Sequence, residues 1–224
     1  MFRARAEVRL FDRQAAARSV AFDERIVVIA IFDYGAGNLR SVQNTLGEIG
    51  ASYELVRDAD GLRSASKIIL PGVGHFGQMM RALDRLAGRD ALVERIHAGV
   101  PFLGICLGLQ ALFGASEEAP EVFGLGVYEG GVRRFPADAR VPHMGWNELE
   151  ARKSCRLLAG LGERPYVYFA HSYYLPETPV TAATCTYGLP YTALLEAGNV
   201  FGVQFHPEKS GPVGLQIVRN FVEL

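Results

Sequence analysis

Val100-Pro101-Phe102-Leu103-Gly104-Ile105-Cys106-Leu107-Gly108-Leu109-Gln110 is the stretch on which the reading of this chain turns. Val100 to Ile105 is an apolar run of the kind that forms a strand buried on both faces, interrupted only by Pro101 and Gly104. Leu107 to Phe113 reads as the first turns of a helix, which puts Cys106 at a strand-to-helix elbow. Such an elbow strains the central residue and needs glycine where a flanking Cβ would clash, and Gly104 and Gly108 occupy those places. Backbone N–H groups at the start of the helix favour thiolate over thiol, and thiolate is the attacking form. A buried structural cysteine is the alternative for any free Cys, and Cys155 and Cys185, without flanking glycines, fit it. Cys106 reads as a nucleophile.

Outward from the elbow the same alternation repeats. Ile26 to Phe32 is a short, mostly β-branched strand, followed by a glycine-rich turn and by Leu39, Val42, Leu46 and Ile49 at helical spacing, with Gly50 as the stop. Ser52 to Val56 and Lys67 to Leu70 read as the next strands. Met79, Leu83 and Leu86 mark a helix that Leu92, Val93 and Ile96 continue or restart. Beyond the elbow, Val127 to Phe135, Tyr166 to His171, Thr181 to Tyr187, Thr192 to Glu196 and Val200 to Phe205 are strand-like, and Val213, Ile217, Val218 and Phe221 supply a closing helix. The fold class is α/β: a mostly parallel open sheet flanked by helices, with an antiparallel extension.

The 224 residues, 49% hydrophobic and 21% charged, suit one globular domain. Lys plus Arg is 23 against 24 Asp plus Glu, which lacks the basic excess of non-specific nucleic-acid binding. The longest apolar runs are too short to span a bilayer. Three cysteines are too few and odd for a disulfide framework and point to a reducing, cytoplasmic setting. Residues 1–25 alternate six arginines with four acids, without the apolar core of a secretory signal. They read as an N-terminal extension, frayed or arising from a start placed too far upstream, ahead of a domain over 26–224.

A partner base for the cysteine lies near the far end. In Gln204-Phe205-His206-Pro207-Glu208, spacing of two puts the His and Glu side chains on one side of an extended segment, and Pro207 stiffens it. Glu208 then orients the imidazole while its other nitrogen exchanges a proton with sulfur. A surface His beside a surface Glu is the plain alternative, and the elbow cysteine upstream weighs against it. Pro71-Gly72-Val73-Gly74, directly after a strand, is a flexible turn whose N–H, together with that of Leu107, would make an oxyanion hole. Alone, that loop is only a turn.

These segments together resemble the class I, triad-type glutamine amidotransferases, whose fold is flavodoxin-like, and the likeness runs from about Val28 to the C-terminus. Three further segments are similar to one branch, the glutaminase subunits of imidazole glycerol phosphate synthase. They are Asp33-Tyr34-Gly35-Ala36-Gly37-Asn38-Leu39-Arg40-Ser41-Val42, Pro142-His143-Met144-Gly145-Trp146-Asn147, and Lys209-Ser210. The resemblance implies Cys106 as nucleophile, His206 as acid/base and Glu208 as its orienter. It implies an oxyanion loop of Gly72, Val73 and Gly74, completed by Leu107, whose peptide needs to flip before the hole is complete. It places Gln110, Ser172 and Tyr173 on the substrate glutamine, and Asn38, Trp146, Tyr168 and Lys209 at a partner interface. The implied partner is a (β/α)₈ cyclase subunit, paired as a heterodimer, whose interior receives ammonia and makes imidazole glycerol phosphate and AICAR ribonucleotide in histidine biosynthesis. No cofactor and no metal are implied, and the isolated chain is expected to be nearly idle.

Other readings stay in view. Glutaminases serving pyridoxal phosphate, anthranilate or aminodeoxychorismate synthesis share the triad, though Asp33 to Val42 and Pro142 to Asn147 speak against them. A γ-glutamyl hydrolase or cysteine peptidase on the same elbow would need no partner, and a binding module would leave Cys106 unreactive. Gly35-Ala36-Gly37 suggests a dinucleotide loop, but Arg40 stands at its third glycine position. His75, His97, His143 and His171 are scattered singly, without zinc-ligand spacing, and read as structural or hydrogen-bonding residues. Trp146 reads as an interface anchor in a turn-like segment, or else as a buried residue.

Overall fold

The computed structural model describes residues 28–224. The expectation for residues 1–25, and the start of the first strand at Ile26, lie outside the described residues. Strand β1 (Ile29–Phe32) leads into α1 (Leu39–Ile49), β2 (Tyr53–Val56), α2 (Ala59–Ser64) and β3 (Lys67–Gly72). Helices α3 (Phe76–Arg85) and α4 (Gly88–His97) follow, so the second helical pattern restarts rather than continues. Then come β4 (Phe102–Cys106), the one-turn α5 (Leu107–Gln110), β5 (Phe113–Ser116) and β6 (Tyr128–Arg134). The remainder is β7 (His143–Glu148), β8 (Glu150–Ala151), β9 (Tyr166–His171), β10 (Tyr173–Tyr174), β11 (Thr181–Tyr187), β12 (Leu189–Ala197), β13 (Val200–Val203) and α6 (Gly211–Val222).

The main sheet has eight strands in the order β2-β1-β3-β4-β13-β12-β11-β8. From β2 to β13 every pair is parallel, and β12, β11 and β8 are added antiparallel. This is the parallel sheet with an antiparallel extension that the alternation predicts. Strand side chains alternate between two cores. Ala30, Phe32, Ile68, Leu70 and Phe102 face α2, α3 and α4, while Ile29, Ile31, Ile69, Leu103 and Ile105 face α1 and α6. Burial on both faces is why these strands read as continuous apolar runs.

Two expectations need correcting. The helix after Cys106 ends at Gln110 instead of running to Phe113, because Phe113 begins β5 and joins β6 in a separate three-stranded sheet with β10. Its apolar run serves two elements in succession, which periodicity cannot separate. The Pro142 to Asn147 segment is not a turn: His143 to Glu148 is a strand, paired antiparallel with β9 in register His143↔His171 and Trp146↔Tyr168.

Candidate active site

The parallel strands deliver the elbow. β4 ends at Cys106, whose φ of +53° lies where few residues with a side chain sit, at a cost of about 1–3 kcal/mol. The flanking glycines are explained by what surrounds them. A Cβ on Gly108 would enter the Leu70 carbonyl of β3, and one on Gly104 would enter the Gly108 carbonyl. The neighbouring strand is so close that Gly72 also has no room, since its Cβ would lie 2.6 Å from the Leu107 Cβ. Four residues of helix contribute little macrodipole, so the positive charge beside the sulfur must come from elsewhere.

It comes from His206. β13, beside β4, leads through Gln204 and Phe205 to His206, whose N–H donates to the Tyr168 carbonyl at 2.9 Å. His206 is extended, but Pro207–Lys209 is a 3₁₀ turn, so the His and Glu meet through that turn and not along an extended strand. Pro207 fits the first position of such a turn because it has no N–H to lose. The Glu208 carboxylate then accepts from His206 Nδ1 at 2.9 Å, with both side chains almost wholly buried. Burial pushes the His206 imidazole down, but hydrogen bonds and charge from Cys106 and Glu208 outweigh it and raise its pKa to about 10. Asn38 Nδ2 also donates to Glu208 Oε1 at 3.3 Å, and Ser41 holds Asn38 in turn at 2.9 Å.

Cys106 and His206 line one cavity of about 220 Å³ together with Gln110, Ser172, Tyr173 and Glu118. All three residues expected at the substrate are therefore in it. Glu118 is a carboxylate that sequence reasoning missed, and its Oε2 accepts the Phe76 N–H at 2.7 Å. Val73 and Gly74 line the rim. The Val73 N–H, part of the Gly72–Val73 peptide, donates to the Tyr34 hydroxyl at 3.3 Å, and Gly74 follows at φ +94°, with open space where a Cβ would stand. Burial pushes the Tyr34 phenol up to about 12, so it stays protonated.

Residues expected at an interface share a face beside the cavity mouth. Trp146 is 55% exposed, which settles it as a surface residue, and Met144 and Tyr166 of the same strand pair, β7 and β9, are exposed as well. Tyr168 packs edge-on to Trp146 with centroids 6.1 Å apart, and Lys209 Nζ stands 5.8 Å over the Tyr168 ring. Asn38 belongs to the triad's own hydrogen bonds, as described above.

A sequence profile of the glutamine amidotransferase class-I family matches residues 30–224. The chain is a class I glutamine amidotransferase. The "Imidazole glycerol phosphate synthase subunit HisH" of Desulfitobacterium hafniense (strain Y51) is 47% identical over 196 residues, covering 87% of this chain and 93% of that protein. The protein of the same name from Methanothermobacter thermautotrophicus is 48% identical, covering 88% and 98%. Among solved structures, a "Crystal structure of glutamine amidotransferase" superposes with a TM-score of 0.70 at 23% identity, covering 87% of this chain and 97% of that one.

The amidotransferase holds a further polar cluster that sequence reading took as scattered. His143 and His171 lie across β7 and β9, with His143 Nδ1 3.3 Å from His171 Nε2, and both ring nitrogens reach the Tyr191 hydroxyl, at 3.1 and 3.2 Å. Burial holds His143 down to about 4 and His171 to about 3, so both are neutral at neutral pH. The two histidines meet because they are directly opposed across β7 and β9, a pairing that their positions in sequence do not mark. Among the described residues no group of three His, Cys, Asp or Glu side chains is placed to hold a metal, and no helix is long and apolar enough to cross a membrane.

Proposed function

We propose that this chain is the glutaminase subunit of an imidazole glycerol phosphate synthase, a cytoplasmic enzyme of histidine biosynthesis. The carrying observation is that Cys106 and His206 open into one cavity with Gln110, Ser172 and Tyr173, directly beside an exposed aromatic face. Identity near 47% over most of the chain to synthase subunits supports the choice of branch.

In this reading the Cys106 thiolate adds to the side-chain amide carbon of glutamine, and backbone N–H donors at Leu107 and in the Gly72-Val73-Gly74 loop take the developing oxyanion. His206 gives its proton to the leaving nitrogen, Glu208 keeps the ring oriented, and ammonia departs from a glutamyl thioester. His206 then takes a proton from water as the water attacks the thioester, releasing glutamate and restoring the Cys106 thiolate beside a protonated His206. Gln110, Ser172 and Tyr173 hold the substrate, and the Glu118 carboxylate suits its α-ammonium. Trp146, Tyr168 and Lys209 dock a (β/α)₈ cyclase subunit in a heterodimer, and Asn38 connects that face to Glu208. Ammonia enters the cyclase directly, since in bulk water it would be protonated and cease to be a nucleophile. The cyclase turns it into imidazole glycerol phosphate and AICAR ribonucleotide.

The test is glutamate release from glutamine by the chain alone, then with the cyclase subunit and its ribonucleotide substrate, with Cys106→Ala as control. Strong stimulation that vanishes in Cys106→Ala supports the reading. Equal activity with and without the partner overturns the synthase assignment in favour of a stand-alone hydrolase.

A further inference from the structure

Gln204 has no role in the triad, yet its side chain is 0% exposed and its Nε2 lies 3.5 Å from the Cys106 sulfur. An amide offers sulfur either a donor or an acceptor, and which one it offers decides whether it supports or opposes negative charge there. The neighbours fix the answer. The Tyr173 carbonyl can only accept, so Gln110, 3.1 Å away, must turn its NH₂ towards it. The second N–H of that NH₂ goes to Gln204 at 3.0 Å, so Gln204 turns its oxygen to Gln110. The Gln204 NH₂ is left facing sulfur. Turning Gln110 over would set its oxygen against the Tyr173 carbonyl, in a buried site where unmet polar groups are costly. Tyr173 is held by His171, whose Nδ1 donates to the same carbonyl at 2.8 Å, and the Gln204 N–H is anchored on the Ala193 carbonyl at 2.9 Å.

We propose that Gln204 is a catalytic hydrogen-bond donor to the Cys106 thiolate, its amide turned towards the sulfur by the Tyr173 carbonyl acting through Gln110. The proposal rests on the glutaminase reading for its catalytic meaning, although the donor itself does not depend on the substrate. A polarised N–H on a thiolate is a charge-assisted bond, and it stabilises the form that attacks. Other titratable groups around the sulfur are His206 with Glu208 behind it, Tyr34, Tyr191 with His171, and Glu118 across the cavity. Gln204 has no titratable proton, so it supports the thiolate without taking part in proton exchange.

The experiment is the pH profile of Cys106 alkylation by iodoacetamide, which needs neither glutamine nor an oxyanion hole, read at the Cys106 peptide by mass spectrometry. Gln204→Met keeps the volume and removes the donor. Its profile midpoint is expected to rise by about one pH unit, an about tenfold loss of alkylation below the midpoint. If Gln204→Met does not fold, Gln204→Asn, too short to reach, takes its place with the same expected shift. A folded Gln204 variant whose profile coincides with wild type overturns the proposal, even if its glutaminase activity falls. Failure of the glutaminase reading shows separately, as glutamate release that survives in Cys106→Ala.

Discussion

Acidification should weaken this fold through His143 and His171 before its carboxylates matter. Both are buried, at 3% and 6% exposure. Burial lowers His143 to about 4. Burial lowers His171 to about 3, with His143 and His206 charge acting in the same direction and the Tyr173 hydrogen bond opposing them. In the unfolded chain each returns to about 6.5. Below that value the unfolded state binds protons that the folded state refuses, so stability falls with falling pH until the folded values are reached. At pH 5 the linkage costs about 2 kcal/mol for each histidine, relative to neutral pH. His206 has the opposite sign, since it is raised to about 10. Its contribution is complete below about 6.5, is lost as pH rises through about 10, and grows by only about 1 kcal/mol on the way down to pH 5. The net loss is then about 3 kcal/mol, a large part of the about 5–15 kcal/mol that holds a domain. Urea unfolding at constant ionic strength measures it directly. His171→Gln is the decisive variant, because its amide can still donate to Tyr173 and accept from Tyr191 without titrating. It should lose about 2 kcal/mol less than wild type over the same interval. Parallel losses in the two proteins would refute the assignment to buried neutral histidines.

Three further outcomes follow from the geometry. Gly108→Ala forces a Cβ into the Leu70 carbonyl, and should lower stability by about 3 kcal/mol or more and abolish glutaminase activity, read as a shifted urea midpoint and by glutamate assay. Trp146→Ala should leave the isolated chain's stability within about 1 kcal/mol, because the side chain is half exposed, but should weaken binding of the cyclase subunit about tenfold or more by calorimetric titration. Asn38→Ala removes a hydrogen bond to Glu208 and should lower kcat by about tenfold, with KM for glutamine little changed.

Much of the sheet was legible because strands buried on both faces leave a plain mark. The apolar runs Ile26 to Phe32 and Val100 to Ile105 mark the strands that the structure bounds at Ile29–Phe32 and Phe102–Cys106. Half-buried strands stabilised by a partner leave a weaker one. β7 holds Gly145, Asn147 and an exposed Trp146, and it is a strand because β9 supplies its hydrogen bonds. Of the residues expected around the cavity, Cys106 and His206 stand out by motif spacing, while Gln110, Ser172 and Tyr173 were expected there only from the resemblance to the amidotransferases. Gln204 sat inside a quoted motif with no role attached to it. Its meaning depends on β4, β13 and β10 converging, a relation among segments 98 and 63 residues apart that no local pattern encodes. The same holds for Tyr34, whose bond to Val73 spans 39 residues.

The polar groups around the sulfur and those around the prospective oxyanion stand in different states. On the nucleophile's side, Gln204 faces the sulfur and His206 is paired with Glu208. On the other side, the Val73 N–H is engaged by the Tyr34 hydroxyl at 3.3 Å. Under the glutaminase reading, attack is prepared while one donor for the tetrahedral intermediate is turned elsewhere, and losing one such donor costs about 10²–10³ in rate. That divides two reactions of one cysteine. Alkylation by iodoacetamide builds no oxyanion, so adding the cyclase subunit with its ribonucleotide should leave its rate at Cys106 within about twofold, while glutamine turnover rises by about 100-fold or more. Should alkylation climb in step with turnover, the partner would be acting on the thiolate and not on the loop.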